Sequence, residues 1–317
     1  MKLKILFHDN CFDGAAAAAV FAQFFRERRD RSIDIRYAGV QHKQGDAFPP
    51  DAFDGDVNVC VDFRYSSSPR LDWWFDHHVS AFQSEADRAH FEGDRSGQKF
   101  YDPEARSCTK FEAGVLAQRF GFDSSPFAEL IRWADIIDGA QFPDAQTAVA
   151  IEAPALRLMT WIENNKDPAL AIRLIEDMQR RPIADIADDD YVRRPLAPIL
   201  KRHEAAIEAI RERASLRDGV VYFDLTDVAI DAHNKFIAYM LFPECRYVVG
   251  LTRSLSRVKI SVGSNPWSPI ARRHNLAKIC ERHGGGGHPV VGAISLAADQ
   301  QERAREIAQE IVTELAA

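Results

Sequence analysis

The sequence predicts an α/β protein built from an N-terminal domain with a mainly parallel sheet flanked by helices, a linker helix, and a smaller C-terminal α/β domain. The length of 317 residues exceeds the usual size of one domain. Strand-like and helix-like segments alternate along the first half, and a charged, proline-containing stretch separates them from a second alternating series. The predicted domains are therefore 1–185 and 218–317, with the linker helix at 186–217.

The first domain alternates short apolar runs with helical patterns, which is typical of a parallel sheet with crossover helices. Predicted strands lie at 4–7, 33–40, 57–63 and 71–75, and predicted helices at 15–26 and 107–120. Gly121 supplies a helix stop, and Asp167 before Pro168 supplies a helix start. The run at 57–61 is apolar throughout most of its length, as expected for a central strand buried on both faces.

Within the linker 186–217, the charged helical pattern runs from about 200 to 216, after Pro195 and Pro198. In the second domain, strands are expected at 220–225, 247–252, 257–262 and 290–296. Helices are expected at 234–241, 275–282 and 300–315. The strands 247–252 and 257–262 are expected to pair with each other, and the last helix is amphipathic.

Composition and charge exclude several classes of protein. Apolar residues make up 46% and charged residues 27%, which excludes wholesale disorder. The uncharged run 14–25 falls short of the ~20 residues of a membrane span. The early His8 and Asp9, with five scattered cysteines and no CxxC pair, predict a cytoplasmic protein. A net charge of −7 argues against long duplex DNA but leaves a small phosphate-bearing substrate open.

Potential metal ligands follow three of the predicted strands. The first strand leads into a segment with His8, Cys11, Asp13 and Gly14, and the third ends at Asp62. The fourth ends in three adjacent residues, Asp76, His77 and His78. Because the carboxyl ends of parallel strands meet at one edge of a sheet, we expect these side chains to lie close together.

Histidines and carboxylates in this number suit a pair of divalent cations, which can share a bridging carboxylate and activate water for phosphoryl hydrolysis. Neighbouring side chains of an extended segment point to opposite sides, so His77 and His78 are expected to have different roles. A polar turn with Asp13 as helix cap stays open as the alternative for the first segment.

The chain resembles the DHH/DHHA1 phosphoesterases. The first signature is Asp76-His77-His78, and the second is Gly284-Gly285-Gly286-Gly287-His288. The opening His8-x-Asn10-Cys11-x-Asp13-Gly14 is similar to the variant in the nanoRNA and cyclic-nucleotide phosphodiesterase branch. This resemblance spans most of the chain and implies a catalytic DHH domain, a linker helix and a DHHA1 substrate-binding domain.

The resemblance implies two divalent ions, with manganese the expected metal. Carried over by motif, one ion is held by His8, Cys11 and Asp62. The other is held by Asp13, Asp62, His77 and a later aspartate, with Asp62 bridging. Asp135 and Asp138 are both candidates for that aspartate because they lie at i, i+3 on one helix face. Asp135 is favoured because it follows the apolar helix as the family's fourth motif does.

The resemblance also implies that Asp76, His77 and His78 form the catalytic group. His78 faces the substrate phosphate, and Asp76 fixes a neighbouring histidine by a hydrogen bond. The substrate-binding residues are His78, Gly284, Gly285, Gly286, Gly287 and His288, because glycine amides and a histidine can bind phosphate. The glycine run is expected to form a structured turn rather than a flexible linker.

Two positions depart from the common family pattern. Cys11 stands where aspartate is usual, and its thiolate favours softer metals such as zinc; Asp9 or Asn10 as the ligand instead stays open. Gly263 stands where many DHHA1 domains carry an arginine. The four candidates to replace that arginine are Arg253, Arg257, Arg272 and Arg273.

The implied function is hydrolysis of phosphodiester bonds in short oligonucleotides or in linear and cyclic nucleotides. An exopolyphosphatase or pyrophosphatase-like hydrolase is one alternative. A nucleotide-binding sensor with weakened catalysis is another, given Cys11 and Gly263. No membrane is expected as a partner, and a homodimer stays open.

Overall fold

The computed structural model describes residues 1–41, 48–49, 51–230 and 233–317. The helices and strands in chain order are β1 (Lys2–His8), α1 (Phe12–Arg28), β2 (Asp34–Val40), β3 (Val57–Val61), β4 (Trp73–Asp76), α2 (Glu85–Gly93), β5 (Lys99–Tyr101), α3 (Cys108–Phe120), α4 (Ala128–Asp138), α5 (Ala145–Ala150), α6 (Pro154–Asn164), α7 (Pro168–Met178), α8 (Ile183–Ala187), α9 (Asp190–Arg213), β6 (Ser215–Arg217), β7 (Val220–Asp224), α10 (Ile237–Leu241), β8 (Tyr247–Arg253), β9 (Arg257–Ser264), α11 (Leu276–Glu281), β10 (Gly286–His288), β11 (Val291–Ala297) and α12 (Gln301–Ala316). A short 3-10 helix, Ser125–Phe127, precedes α4.

The chain divides into two compact units. The first comprises Met1–Phe142 and Ile151–Leu196, and the second comprises Pro143–Ala150 and Ala197–Ala317. The second unit thus takes in α5 from the middle of the sequence and the C-terminal part of α9. The domain limits at 185 and 217 stay a prediction. Among the described helices, none is both long and apolar enough to cross a membrane.

The first unit is built on a five-stranded sheet in the order β2-β1-β3-β4-β5, and every pair in it is parallel. The chain passes from β1 to β2 on one side and then to β3 on the other. Ligands of such sheets bind at the carboxyl ends of the strands where the order reverses. The predicted parallel α/β fold is confirmed, and it directs attention to the ends of β1 and β3.

Helix α1 is buried almost all round because its alanines allow close packing against the sheet and against α3, α4 and α7. Gly14 lies where α1 approaches β1: a Cβ there would lie 2.4 Å from the carbonyl oxygen of His8. The structure therefore requires glycine at this position for the helix to begin beside the strand end. An aromatic cluster packs on the other face of the sheet around Trp74, Tyr65 and Phe63.

Several predicted helix ends are confirmed. Ser107 caps α3 by accepting a hydrogen bond from the Lys110 amide, and Gly121 ends the helix at φ 63°. Asp167 caps α7 with Pro168 in the first turn. Helix α9, however, begins at Asp190 and continues through Pro195 and Pro198, well before the predicted start near 200. Burial of its apolar side chains outweighs the cost of the prolines there.

The second unit has a six-stranded mixed sheet in the order β10-β11-β9-β8-β7-β6. Strands β8 and β9 pair, as predicted, and their pairing is antiparallel, while β7 and β8 are parallel. Helices α11 and α12 pack on one face around Val249, Ile260 and Ile307. Side chains of α5, α9 and α10 pack on the other face around Phe223 and Ile237. The predicted smaller α/β domain is thereby confirmed as a fold.

Candidate functional site

The side chains predicted at the three strand ends converge on Asp62. Nδ1 of His8 lies 3.4 Å from Asp62 Oδ2, and Nε2 of His77 lies 3.5 Å from Asp62 Oδ1. Nδ1 of His78 is 3.8 Å from the same Oδ1. Strand β4 ends at Asp76, so the alternation of side chains along an extended strand does not apply to His77 and His78. Both histidines can therefore face Asp62. The parallel sheet thus brings ligands from β1, β3 and β4 to one point, as the sequence predicts.

Asp62 is held in a conformation that a free chain rarely adopts. Its φ of 57° is left-handed, and its side chain is only 1% exposed. Within the described part of the chain, neither carboxylate oxygen has a hydrogen-bond partner. A buried carboxylate costs several kcal/mol unless it is paired or coordinates a metal. The strained Asp62, whose two oxygens face imidazole nitrogens at 3.4–3.8 Å, therefore fits a cation held between it and those histidines.

His77 presents one ring nitrogen to this centre. Its Nδ1 lies 3.0 Å from the carbonyl oxygen of Ala105, which accepts a hydrogen bond from it and fixes the tautomer. Its Nε2 faces three carboxylates: Asp138 at 3.3 Å, Asp62 at 3.5 Å and Asp13 at 3.9 Å. Metal-binding histidines typically donate a hydrogen bond from the N–H of their other ring nitrogen to a carbonyl in this way.

Asp13 fixes the start of α3 beside the centre. Its Oδ2 accepts a hydrogen bond from the Cys108 amide at 2.6 Å, and its Oδ1 accepts one from the Thr109 amide at 3.0 Å. The Thr109 hydroxyl donates to the Asp13 carbonyl oxygen at 3.0 Å. These partners of Asp13 are not visible in any short motif, although Ser107 marks the helix start at which they occur.

The charges of the centre are strongly coupled. Burial, with Asp62 and Asp138 nearby, raises the pKa of Asp13 from 3.8 to about 8. Burial opposes ionisation of Asp62 too, but the imidazoles of His77 and His8 lower its pKa to about 2. Burial opposes protonation of His77, yet Asp62 and the Ala105 carbonyl raise its pKa to about 10. A divalent cation bound at this centre would therefore replace protons held by its ligands.

Cys11, rather than Asp9, groups with His8 and Asp62 as a candidate ligand. Ligand atoms of His8, Cys11 and Asp62 lie within 4.8 Å of one another. Asp9 is engaged elsewhere: its Oδ1 accepts a hydrogen bond from the Asn10 amide at 2.9 Å, and its Oδ2 accepts one from Gln41 at 3.1 Å. The alternative in which Asp9 replaces Cys11 therefore finds no support in the geometry.

The structure brings Asp138 to the centre and leaves Asp135 outside it. Ligand atoms of Asp13, His77 and Asp138 lie within 4.8 Å of one another. Asp135 instead accepts a hydrogen bond from Nζ of Lys110 at 2.7 Å. The preference for Asp135 rested on motif order, whereas on α4, which packs against α1 and α3, it is Asp138 that lies 3.3 Å from Nε2 of His77.

Asp76 and His78 are joined as the sequence analysis expects. Asp76 is fully buried, and its Oδ1 lies 2.7 Å from Nδ1 of His78. The same oxygen accepts the His77 and His78 amide hydrogens at 2.8 and 3.3 Å. Asp76 therefore holds the backbone turn and orients the His78 ring, which also lies with Asp62 and His77 in a group of candidate ligands.

Glu112 on α3 is a buried acid that sequence reasoning missed. It is 0% exposed, and neither of its carboxyl oxygens has a hydrogen-bond partner in the described chain. Burial, followed by the nearby charges of Asp13 and Asp62, raises its pKa well above the usual value. The available signal was a glutamate among the otherwise inward-facing small residues of α3.

The glycine run lies in the second unit and is structured. Gly286–His288 forms β10, which pairs antiparallel with β11. A Cβ at Gly285 or Gly287 would lie 2.2 Å from a carbonyl oxygen of β11, so glycine is needed for the strands to approach. The amides of Gly284 and Gly285 donate to carbonyls of α11. His288 is exposed.

Gly263 lies in the same sheet, two strands from His288. Val291 pairs with His288 on one side and with Gly263 on the other, so these residues share a sheet face. A Cβ at Gly263 would lie 2.3 Å from the hydroxyl oxygen of Tyr239. Tyr239 thus occupies the space that an arginine at this position would need.

Comparisons with known proteins give a fold and no sequence match. No protein-family model and no curated protein matches the chain. Among solved structures, a pGpG-specific phosphodiesterase, PggH of Vibrio cholerae, is similar over 99% of both chains, with a TM-score of 0.70 and 20% identity. A DHH domain described as belonging to a family of ribosomal proteins has a TM-score of 0.55 at 12% identity, over 100% of this chain and 87% of that one.

RecJ of Thermus thermophilus, solved in complex with Mn²⁺, is similar over 99% of this chain and 52% of its own, with a TM-score of 0.53 and 12% identity. These similarities, together with the two sheets and the strand-end cluster, agree with the two signatures found in the sequence. The chain has the two-domain fold of the DHH/DHHA1 phosphoesterases.

Proposed function

We propose that this protein is a divalent-cation-dependent phosphodiesterase that cleaves short oligonucleotides or linear and cyclic nucleotides. The observation that carries the proposal is the buried Asp62 carboxylate, which faces the imidazoles of His8, His77 and His78 at the meeting point of three strand ends. Carboxylate, imidazole and thiol groups from the strand ends, from the start of α1 and from α4 lie around it. Such a cluster at a switch point of a parallel sheet has the composition of a two-cation hydrolytic site.

The proposed ligands fall into two sets that share Asp62. His8, Cys11 and Asp62 form one set. Asp13, His77 and Asp138, with Asp62, form the other, so Asp138 takes the role first assigned to Asp135. When bound, two such ions activate water and neutralise charge on phosphoryl oxygens. Manganese, the ion in the Thermus RecJ structure, is the proposed metal of the set with Asp13, His77 and Asp138.

The protein's own groups orient the substrate in this proposal. Asp76 holds the His78 ring through the 2.7 Å contact to Nδ1, so the ring keeps one direction as substrate binds. His78 then positions a phosphoryl oxygen. In the second unit, His288 and the glycine strand β10 are proposed to bind phosphate, since glycine amides and a histidine can donate hydrogen bonds to it.

A small nucleotide is the proposed substrate class. The net charge of −7 disfavours long nucleic acids, which bind basic surfaces. The similar Vibrio protein is described as pGpG-specific and is matched over 99% of both chains. A linear dinucleotide is therefore the first substrate to test.

The test is hydrolysis of pGpG, a cyclic dinucleotide, a nucleoside 3′,5′-bisphosphate and polyphosphate by the purified chain with Mn²⁺. We expect cleavage of the linear dinucleotide and a loss of at least about 100-fold in Asp62→Asn. Asp135→Asn is the matched control and should retain activity within about threefold, because its ion pair with Lys110 lies at the surface. Preferential turnover of polyphosphate, or nucleotide binding without any turnover, would overturn the proposal.

A further inference from the structure

We propose that the two cation positions select different metals. The position formed by His8, Cys11 and Asp62 selects a thiophilic ion such as Zn²⁺. The position formed by Asp13, His77, Asp138 and Asp62 selects a hard ion such as Mn²⁺. This inference rests on the proposed function, since it concerns the metals of the same centre.

The Cys11 sulfur is placed by the start of α1. Cys11 is the N-cap residue, in extended conformation at φ −120° and ψ 132°, and its carbonyl accepts the Ala15 amide hydrogen. Burial, with the nearby carboxylates of Asp62 and Asp13, raises the pKa of the Cys11 thiol, so a cation bound there would have to displace the thiol proton. Cysteine is otherwise a poor cap, so capping alone does not explain it.

A second, independent observation points to a ligand here. Sγ of Cys11 lies within 4.8 Å of ligand atoms of both His8 and Asp62. Asp62 is 1% exposed, and its two oxygens lack hydrogen-bond partners among the described residues. The thiol therefore lies close to a buried carboxylate that is able to coordinate a cation.

The carboxylate of Asp9, two residues before Cys11 in the sequence, is engaged elsewhere. Both oxygens of Asp9 accept hydrogen bonds, from the Asn10 amide and from the Gln41 side chain. A Cβ at Gly39 would lie 2.7 Å from the Asp9 carboxyl carbon, so the glycine makes room for Asp9 on β2. Sulfur, rather than carboxylate oxygen, is consequently the third donor beside His8 and Asp62.

The donor sets of the two positions differ in kind. One nitrogen, one sulfur and one oxygen are typical of Zn²⁺, whose catalytic sites keep three protein ligands and one open position. Three carboxylates and one imidazole suit Mn²⁺ instead. Thiolate ligands select Zn²⁺ over Mn²⁺ strongly, because Mn²⁺ prefers oxygen. A single cysteine thus gives different metal preferences to two positions that share Asp62.

The experiment begins with the full chain stripped of metal by a chelator. Titration with Co²⁺, a spectroscopic probe for Zn²⁺ sites, is followed in the near ultraviolet, where a cobalt–thiolate bond gives a charge-transfer band. We expect the band in the wild type and in Cys60→Ala, which removes a buried thiol on β3 outside both ligand sets. We expect no band in Cys11→Ser.

The second arm offers equal Zn²⁺ and Mn²⁺ and counts bound metal by mass spectrometry after desalting. The wild type should retain one zinc and one manganese per chain. Cys11→Asp should lower the zinc-to-manganese ratio at least about tenfold, the loss that follows removal of even an outer partner of a ligand. A band that persists in Cys11→Ser, no band at all, or equal metal ratios in wild type and Cys11→Asp would overturn the inference.

Failure of this inference is distinguishable from failure of the proposed function. Two bound manganese ions with no thiolate band would refute metal selection and leave the two-cation hydrolase intact. Binding of no divalent metal by the wild type would refute both.

Discussion

Removing metal should make the first unit lose stability as the pH rises from 5 to 8. The pKa of Asp13 is raised to about 8 by burial and by Asp62 and Asp138, so the folded chain keeps a proton that the unfolded chain releases near 3.8. A folded state that binds more protons is destabilised by rising pH. His77, with its pKa raised to about 10, acts in the same direction above pH 6.5.

The size of this effect follows from the raised pKa of Asp13. Each pH unit between the unfolded and folded pKa values costs about 1.4 kcal/mol, so about three units give at most about 4 kcal/mol for Asp13. Asp62 adds nothing in this range, because its pKa of about 2 leaves it ionised in both states. Metal reverses the trend, since a cation replaces the proton and binds more tightly as the ligands ionise.

Urea unfolding followed by tryptophan fluorescence measures this stability. Trp73, Trp74 and Trp161 are buried in the first unit and report on it. In chelator, the free energy of unfolding should fall between pH 5 and pH 8, and the gain from added Mn²⁺ should widen. Asp138→Asn should reduce the slope, and Asp135→Asn should leave it unchanged. A stability that is flat or rises with pH in chelator would refute the reasoning.

Three further predictions concern single residues. Glu112→Gln should leave the fold intact and stabilise the chain at pH 8, as urea unfolding would show, because burial and Asp13 raise the pKa of Glu112 and ionising it is costly. Gly14→Ala should destabilise by about 1–3 kcal/mol and weaken Mn²⁺ binding in calorimetry, since its Cβ would meet the His8 carbonyl. Burial lowers the pKa of His233 to about 4, so stability of the second unit should fall from pH 6.5 toward 4. His233→Gln should flatten that fall in amide hydrogen exchange of β7.

The convergence of the strand ends could be predicted because it follows from topology. Once β1, β3 and β4 are recognised as parallel, their carboxyl ends must lie at one edge, which places His8, Asp62 and His77 together. The glycine run and the ends of α3 and α7 followed from local backbone requirements in the same way. These features depend on short segments and on the rule that the carboxyl ends of parallel strands lie at one edge of a sheet.

Other features depended on packing that no local pattern contains. The choice between Asp135 and Asp138 is set by the rotation of α4 and by Lys110, both of which are long-range. Strand β5 is three residues long, and α5 joins the second unit although the surrounding sequence belongs to the first. Tyr239 filling the space beside Gly263 likewise requires the position of α10 on the sheet.

The measurement that tests the central claim most directly is the number of divalent ions bound per chain, determined calorimetrically on metal-stripped protein. The account predicts two ions for the wild type and weakened binding at both positions in Asp62→Asn, because this carboxylate serves both ligand sets. A wild type that binds no divalent ion, or an Asp62→Asn variant that binds two ions with unchanged affinity, would contradict it.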